Sequence, residues 1–155
     1  MAALEKRPYV LIAEDDPDDR ELLKEAFADR CRDCDLQFVQ NGEELLDFLA
    51  TRAQKGTVAT GYVFPHLLLL DLNMPLKDGR EALLALKADE QYAAIDIVIL
   101  STSESPEDRV FCMKHGAREY LIKPPGYTQL LELVARLSVY LRPEKHEPYK
   151  PEHHE

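Results

Sequence analysis

Leu67-Leu68-Leu69-Leu70-Asp71-Leu72-Asn73-Met74-Pro75 is the stretch on which the reading of this chain turns. Four leucines without polar alternation read as a strand buried on both faces, the pattern of the centre of a parallel sheet. A buried helix turn has the same short pattern, so the neighbours must arbitrate. The run stops at Asp71, and Pro75 prevents its continuation. An ionisable carboxylate therefore stands where a buried strand emerges at its C-terminal end. In open α/β sheets that edge is where ligands bind. A carboxylate is costly to bury alone, so Asp71 is expected to face a metal, a cation or solvent.

Outward from this stretch, apolar runs alternate with helical patterns. Tyr9 to Ala13 reads as a first strand, and Asp16 before Pro17 is a helix start, with an Asp cap and Pro at the first helical position. That helix carries Leu22, Leu23, Ala26 and Phe27 on one face and ends near Arg30. Asp16, Asp18, Asp19 and Glu21 are explained by the cap and the helix dipole; Glu14 and Asp15, which directly follow a buried strand, are not. Leu36 to Val39 is a short second strand. Asn41-Gly42-Glu43-Glu44 fits a capping box, with Leu45, Leu46, Phe48 and Leu49 as the buried face of the helix it starts. From about Thr51 to Pro65 periodicity is lost, and a loop longer than usual is expected.

Beyond Leu70, Asp78-Gly79-Arg80-Glu81 is a second capping box, before a helix presenting Ala82, Leu83, Ala85 and Leu86. Ile95 to Leu100 is a β-branched strand ending in Ser101-Thr102-Ser103, and Ser105-Pro106 caps the next helix. Ala117 to Ile122 gives a fifth strand, ending at Lys123-Pro124-Pro125. A last helix over Thr128 to Leu141 has an apolar stripe wider than one core-facing side needs. Five strand–helix repeats imply a parallel sheet covered on both faces, with right-handed crossovers. The expected organisation is an N-terminal segment over 1–8, one domain over 9–141, and an extended or disordered tail over 142–155, rich in proline, histidine and charge.

Composition narrows the function classes. With 155 residues, 45% hydrophobic and 31% charged, the chain supports one globular domain. A net charge of −10 argues against nucleic-acid binding and against a basic membrane anchor. No apolar run is long enough to span a bilayer, and no signal peptide is evident. Three cysteines fit a reducing cytoplasm better than a disulfide scaffold. Cys31 and Cys34 form a C-x-x-C, but it closes a helix instead of opening one and lacks two further zinc ligands, so both read as plain loop cysteines.

Four strand ends thus supply polar groups: Glu14 and Asp15, Asp71, Ser101 and Thr102, and Lys123. Three carboxylates on one edge repel one another and call for a hard dication. Mg²⁺ fits, because it takes one or two carboxylates and a phosphate oxygen while keeping several waters. Lys123 and a hydroxyl can hold the other oxygens of a phosphoryl group.

The set Glu14-Asp15, Asp71, Ser101 and Lys123-Pro124, in five-strand order, resembles the receiver domain of two-component response regulators, from about Tyr9 to Leu141. The resemblance implies a flavodoxin-like (βα)5 fold with strand order 2-1-3-4-5. It implies Asp71 as phosphoacceptor for a histidine kinase, and a Mg²⁺ site made by Asp15 directly, Glu14 through a water, Asp71 and the Asn73 carbonyl. Ser101 and Lys123 would hold the phosphoryl group, Ser101 and Tyr120 would form the switch, and Lys123–Pro124 would be a cis peptide. Glu14 and Ser101 stand where the family more often has Asp and Thr. The long loop and the Asp-Asp-Pro-Asp-Asp start are similar to small single-domain receivers paired with phytochrome-type histidine kinases.

The wide apolar stripe of the last helix, continued by Tyr140 and Leu141, suggests a two-fold homodimer. By the same resemblance it would form through the fourth helix, fifth strand and fifth helix; the alternative is that Tyr140 and Leu141 fold back on their own subunit. The protein would be cytoplasmic, signal by protein contact and turn over no external substrate. Two alternatives stay open. One is an interaction module that works without phosphorylation. The other is an aspartyl-phosphate phosphatase of another α/β class, which would want Asp where Asn73 stands.

Overall fold

The computed structural model describes residues 7–55 and 62–142. Five strands alternate with five helices: β1 (Tyr9–Ala13), α1 (Pro17–Arg30), β2 (Asp35–Val39), α2 (Gly42–Lys55), β3 (Leu67–Leu70), α3 (Gly79–Ala88), β4 (Asp96–Ser101), α4 (Pro106–Lys114), β5 (Glu119–Ile122) and α5 (Tyr127–Arg136). All strand pairs are parallel, in the order β2-β1-β3-β4-β5. This is the flavodoxin-like fold that the resemblance implies.

The leucine run is the central strand, buried on both faces. Strand side chains alternate, so Leu68 and Leu70 pack with Leu45, Leu83 and Ile97, while Leu67 and Leu69 pack with Phe27, Val98 and Val134. Burying four leucines contributes roughly 1.5–3 kcal/mol each, which fixes the height at which Asp71 leaves the sheet.

The caps form where the sequence puts them. Asp16 accepts from the N–H groups of Asp18 and Asp19 ahead of Pro17, and Asp78 and Glu81 complete a reciprocal capping box. Asn41 accepts from the Glu44 N–H at 2.8 Å, and Ser105 from that of Asp108.

Several expectations change. Leu22 is exposed, so the buried face of α1 is Leu23, Ala26 and Phe27. α2 runs on to Lys55, because Arg52, Ala53, Gln54 and Lys55 are good helix formers even without apolar periodicity. Arg52 lays its guanidinium over the Phe48 ring, 4.8 Å from its centroid. β5 begins at Glu119, two residues later than expected. Cys31 and Cys34 are joined by a disulfide, not left as plain loop cysteines. The turn that follows α1 brings their Cα atoms to 5.6 Å, within bridging range.

The last helix changes character at Leu137, where a 3₁₀ turn spans Leu137–Tyr140. Positions three apart eclipse in a 3₁₀ turn, so Tyr140 falls in line with Leu137. Tyr140 and Leu141 are therefore buried against their own subunit, not displayed as an extension of a dimer face. The Tyr140 hydroxyl and the Arg136 guanidinium both donate to Glu119 of β5. The tail from residue 143 and the centre of the loop after α2 lie outside the described residues.

Candidate functional site

The ladder continues one residue beyond β1 and β3. Glu14 N–H donates to the Val39 carbonyl at 2.9 Å, and Asp71 N–H to that of Ala13 at 3.1 Å. Ala13 pairs with Leu70, so Glu14 and Asp71 leave adjacent strands at the same level. On the other side, Lys123 N–H donates to the Ser101 carbonyl at 2.8 Å, which registers the end of β5 against that of β4. Gly79 seals the base of the site: its N–H bonds the Leu72 carbonyl, and a side chain there would collide with the Asp71 backbone.

Lys123 is the centre of the constellation. Its ammonium lies 2.6 Å from Glu14 Oε1, 2.8 Å from Asp19 Oδ2 and 3.2 Å from Asp71 Oδ2. The other oxygens of the two buried carboxylates are also held: Glu14 Oε2 accepts from Asp16 N–H at 3.1 Å, and Asp71 Oδ1 from Asn73 N–H at 3.2 Å. Asp71, Glu14 and Ser101 are buried, whereas Asp15 is exposed. Ser101 Oγ accepts from Ser103 N–H at 3.1 Å.

Burial raises the Glu14 carboxyl to about 7; the Lys123 hydrogen bond lowers it, and the nearby Asp71 charge raises it further. Burial disfavours the Lys123 ammonium, yet its bonds to Asp19 and Glu14 and the Asp71 charge outweigh that, and its pKa rises. The edge holds more negative charge than one lysine balances.

One oxygen each from Glu14, Asp15 and Asp71 lies within 4.8 Å of the others. These are hard donors on rigid strand ends, and burial makes the Glu14 carboxylate costly without a cation. The donor set fits a divalent cation of the Mg²⁺ class, which takes few protein oxygens.

Sequence reasoning brought Glu14, Asp15, Asp71, Ser101 and Lys123 to this edge, and all five are there. It missed Asp19, assigned to the helix dipole alone. A first-turn acid of α1 is fully explained by the helix dipole, so no spacing in the sequence singled it out. Asn73 is exposed, with its backbone N–H turned to Asp71. Tyr120 is already buried, and its hydroxyl donates to the Ser103 carbonyl at 2.8 Å. Arg109 lies over its ring, 5.0 Å from the centroid. The described residues contain no cis peptide, so Lys123–Pro124 is trans. The trans preference of an X–Pro bond is only about 0.5–1 kcal/mol, too little for sequence to decide the isomer.

Residues 10–135 match the response regulator receiver domain family. The chain is 30% identical over 131 residues to the response regulator Rcp1 of Synechocystis, covering 84% of this chain and 86% of that one. A crystal structure of the Mn²⁺-bound form of Rcp1 superposes with a TM-score of 0.75, over 88% of this chain and 96% of that one. The phosphorylated cyanobacterial phytochrome response regulator RcpA superposes at 0.76 with 28% identity, over 92% and 99%. RPA3017 of R. palustris, described as acting in red light signaling, superposes at 0.76 with 34% identity, also over 92% and 99%.

Proposed function

We propose that this chain, which belongs to the response regulator receiver family, accepts a phosphoryl group from a sensor histidine kinase onto Asp71 and passes the signal on by protein contact. The observation that carries this reading is the convergence of Glu14, Asp15, Asp71 and Lys123 at one edge of the sheet. In the transfer, an Asp71 carboxylate oxygen attacks the phosphorus of a phosphohistidine. The P–O bond forms as the P–N bond breaks, and the imidazole leaves with the electron pair and takes up a proton. Lys123 donates to the phosphoryl oxygens, and the Ser101 hydroxyl offers a second donor. Asp15, Glu14, Asp71 and the Asn73 carbonyl would hold Mg²⁺, which when bound neutralises charge on the transferring group. Lys123, Ser101 and Tyr120 are the groups through which added charge at Asp71 reaches the β4–α4 loop, since Tyr120 is bonded to Ser103.

The test is intact mass after incubation with acetyl phosphate and Mg²⁺. The wild type should gain one phosphoryl group, and Asp71→Asn and the chelator control should gain none. An equal, stable gain in Asp71→Asn would refute the acceptor assignment.

The kinase is proposed to be of the phytochrome type, on the likeness to Rcp1 and RcpA. A homodimer through α4, β5 and α5 is proposed on the exposed apolar side chains Val110 and Met113 of α4 and Val139 of the turn that follows α5. Light scattering at micromolar concentration should give a dimer mass for the phosphorylated protein and a monomer for Val110→Asp. A monomer in both forms of the wild type would end the dimer reading.

A further inference from the structure

We infer that Asp19 is a positioning residue that holds Lys123 in the resting protein and releases it when Asp71 is phosphorylated; this rests on the phosphoacceptor reading. An ammonium has three N–H donors and no acceptor. In this structure all three are committed, to Glu14, Asp19 and Asp71. A phosphoryl oxygen on Asp71 can therefore gain Lys123 only by displacing a carboxylate.

Exposure decides which one leaves. The Asp71 oxygen that takes the phosphoryl group loses its own charge, so that bond passes to one phosphoryl oxygen. To hold a second phosphoryl oxygen, Lys123 must give up Glu14 or Asp19. The Glu14 side chain is 3% exposed, and an unpaired carboxylate there is costly. The Asp19 side chain is 35% exposed, so water replaces Lys123 around it at little cost. A pocket of about 90 Å³ beside the pair, lined by Asp19, Lys123 and Pro124 among others, gives that water a place. The exchange is a rotation of the Asp19 side chain, since its backbone N–H stays bonded to Asp16 at 3.2 Å. Lys123 keeps its proton throughout: the bonds to Asp71 and Asp19 break, and two to phosphoryl oxygens form. Release of this pair also unties the first turn of α1 from the end of β5, which it joins in the resting state.

The experiment follows phosphoryl gain and loss by intact mass, with acetyl phosphate and Mg²⁺, in the wild type, Asp19→Asn, Asp19→Glu, Asp18→Asn and Asp71→Asn. Asp19→Asn should gain the group about two- to fivefold faster and lose it more slowly by a similar factor, the range for a partly exposed ion pair. Asp19→Glu, which keeps the charge, should return toward the wild-type rates. Asp18→Asn removes an exposed charge from the same helical turn and should leave the rates unchanged. Equal acceleration in Asp18→Asn, or a rate at or below wild type in Asp19→Asn, overturns the inference. A second readout is independent of turnover. On adding beryllofluoride and Mg²⁺, the ¹³C resonance of the Asp19 carboxylate should shift in the wild type as Lys123 leaves, and a fixed resonance overturns the inference. Phosphoryl gain by Asp71→Asn at the wild-type rate would instead refute the acceptor reading.

Discussion

Two of the charge clusters among the described residues are built in opposite ways. At the C-terminal edge of the sheet, one lysine serves three carboxylates, and Asp15 stands beside them. At the outer side of β5, one carboxylate, Glu119, is met by the Arg136 guanidinium and the Tyr140 hydroxyl. The second cluster has donors enough for its one charge and ties the end of α5 to the sheet. The first is over-supplied with negative charge and largely buried. Its imbalance costs stability and suits a divalent cation. Under the proposed function, balance marks the structural cluster and imbalance the functional one.

The largest way to break this contrast is to remove the single cation. Lys123→Ala leaves Glu14 and Asp71 buried without a compensating cation and should destabilise the chelated protein by about 3–5 kcal/mol near pH 8. Urea unfolding checks this, and saturating Mg²⁺ should restore part of the loss. No loss in chelator would mean that Lys123 is not what balances the edge.

Next in size is a pH effect. Burial, and then the Asp71 charge, raise Glu14 from 4.5 to about 7 against the pull of Lys123. Its folded pKa lies above its unfolded one, so its contribution to stability is full below about 4.5 and is lost as pH rises through about 7. Without metal, stability should therefore fall across that window, and Glu14→Gln should flatten the fall. Mg²⁺ binding needs the ionised carboxylate, so affinity should rise roughly tenfold per pH unit up to about 7 and then level off. Calorimetric titration at several pH values measures this; a pH-independent affinity would contradict it.

The smallest effect belongs to the balanced cluster. Glu119→Gln should cost about 1 kcal/mol, because its Arg136 partner is mostly exposed. Phosphoryl uptake should be unchanged, which urea melts and intact mass would establish together. A large change in uptake would show that the two clusters are not independent.

The sheet was legible because its signals are redundant. The leucine run, the Asp16-Pro17 start and the Asp78–Glu81 box each agree with a neighbouring element. The strand-end residues were legible because nothing structural explained them. Asp19 was hidden for the opposite reason: a first-turn acid is fully accounted for by the helix dipole, so its bond to Lys123 left no residue of pattern to notice. The end of α5 misled because helical periodicity assumes one helix type. The change to a 3₁₀ turn at Leu137 moved Tyr140 onto the core side. The bridge between Cys31 and Cys34 depends on how tightly the chain turns after α1, which spacing alone does not give.

The most direct measurement is to locate the phosphoryl group itself. After phosphorylation with acetyl phosphate and Mg²⁺, borohydride reduces an aspartyl phosphate to homoserine, and peptide mass spectrometry reads the position. The expected result is a single reduced aspartate, at position 71, absent when chelator replaces Mg²⁺. Reduction at any other aspartate, or labelling that persists in chelator, would contradict the assignment of this edge as the site.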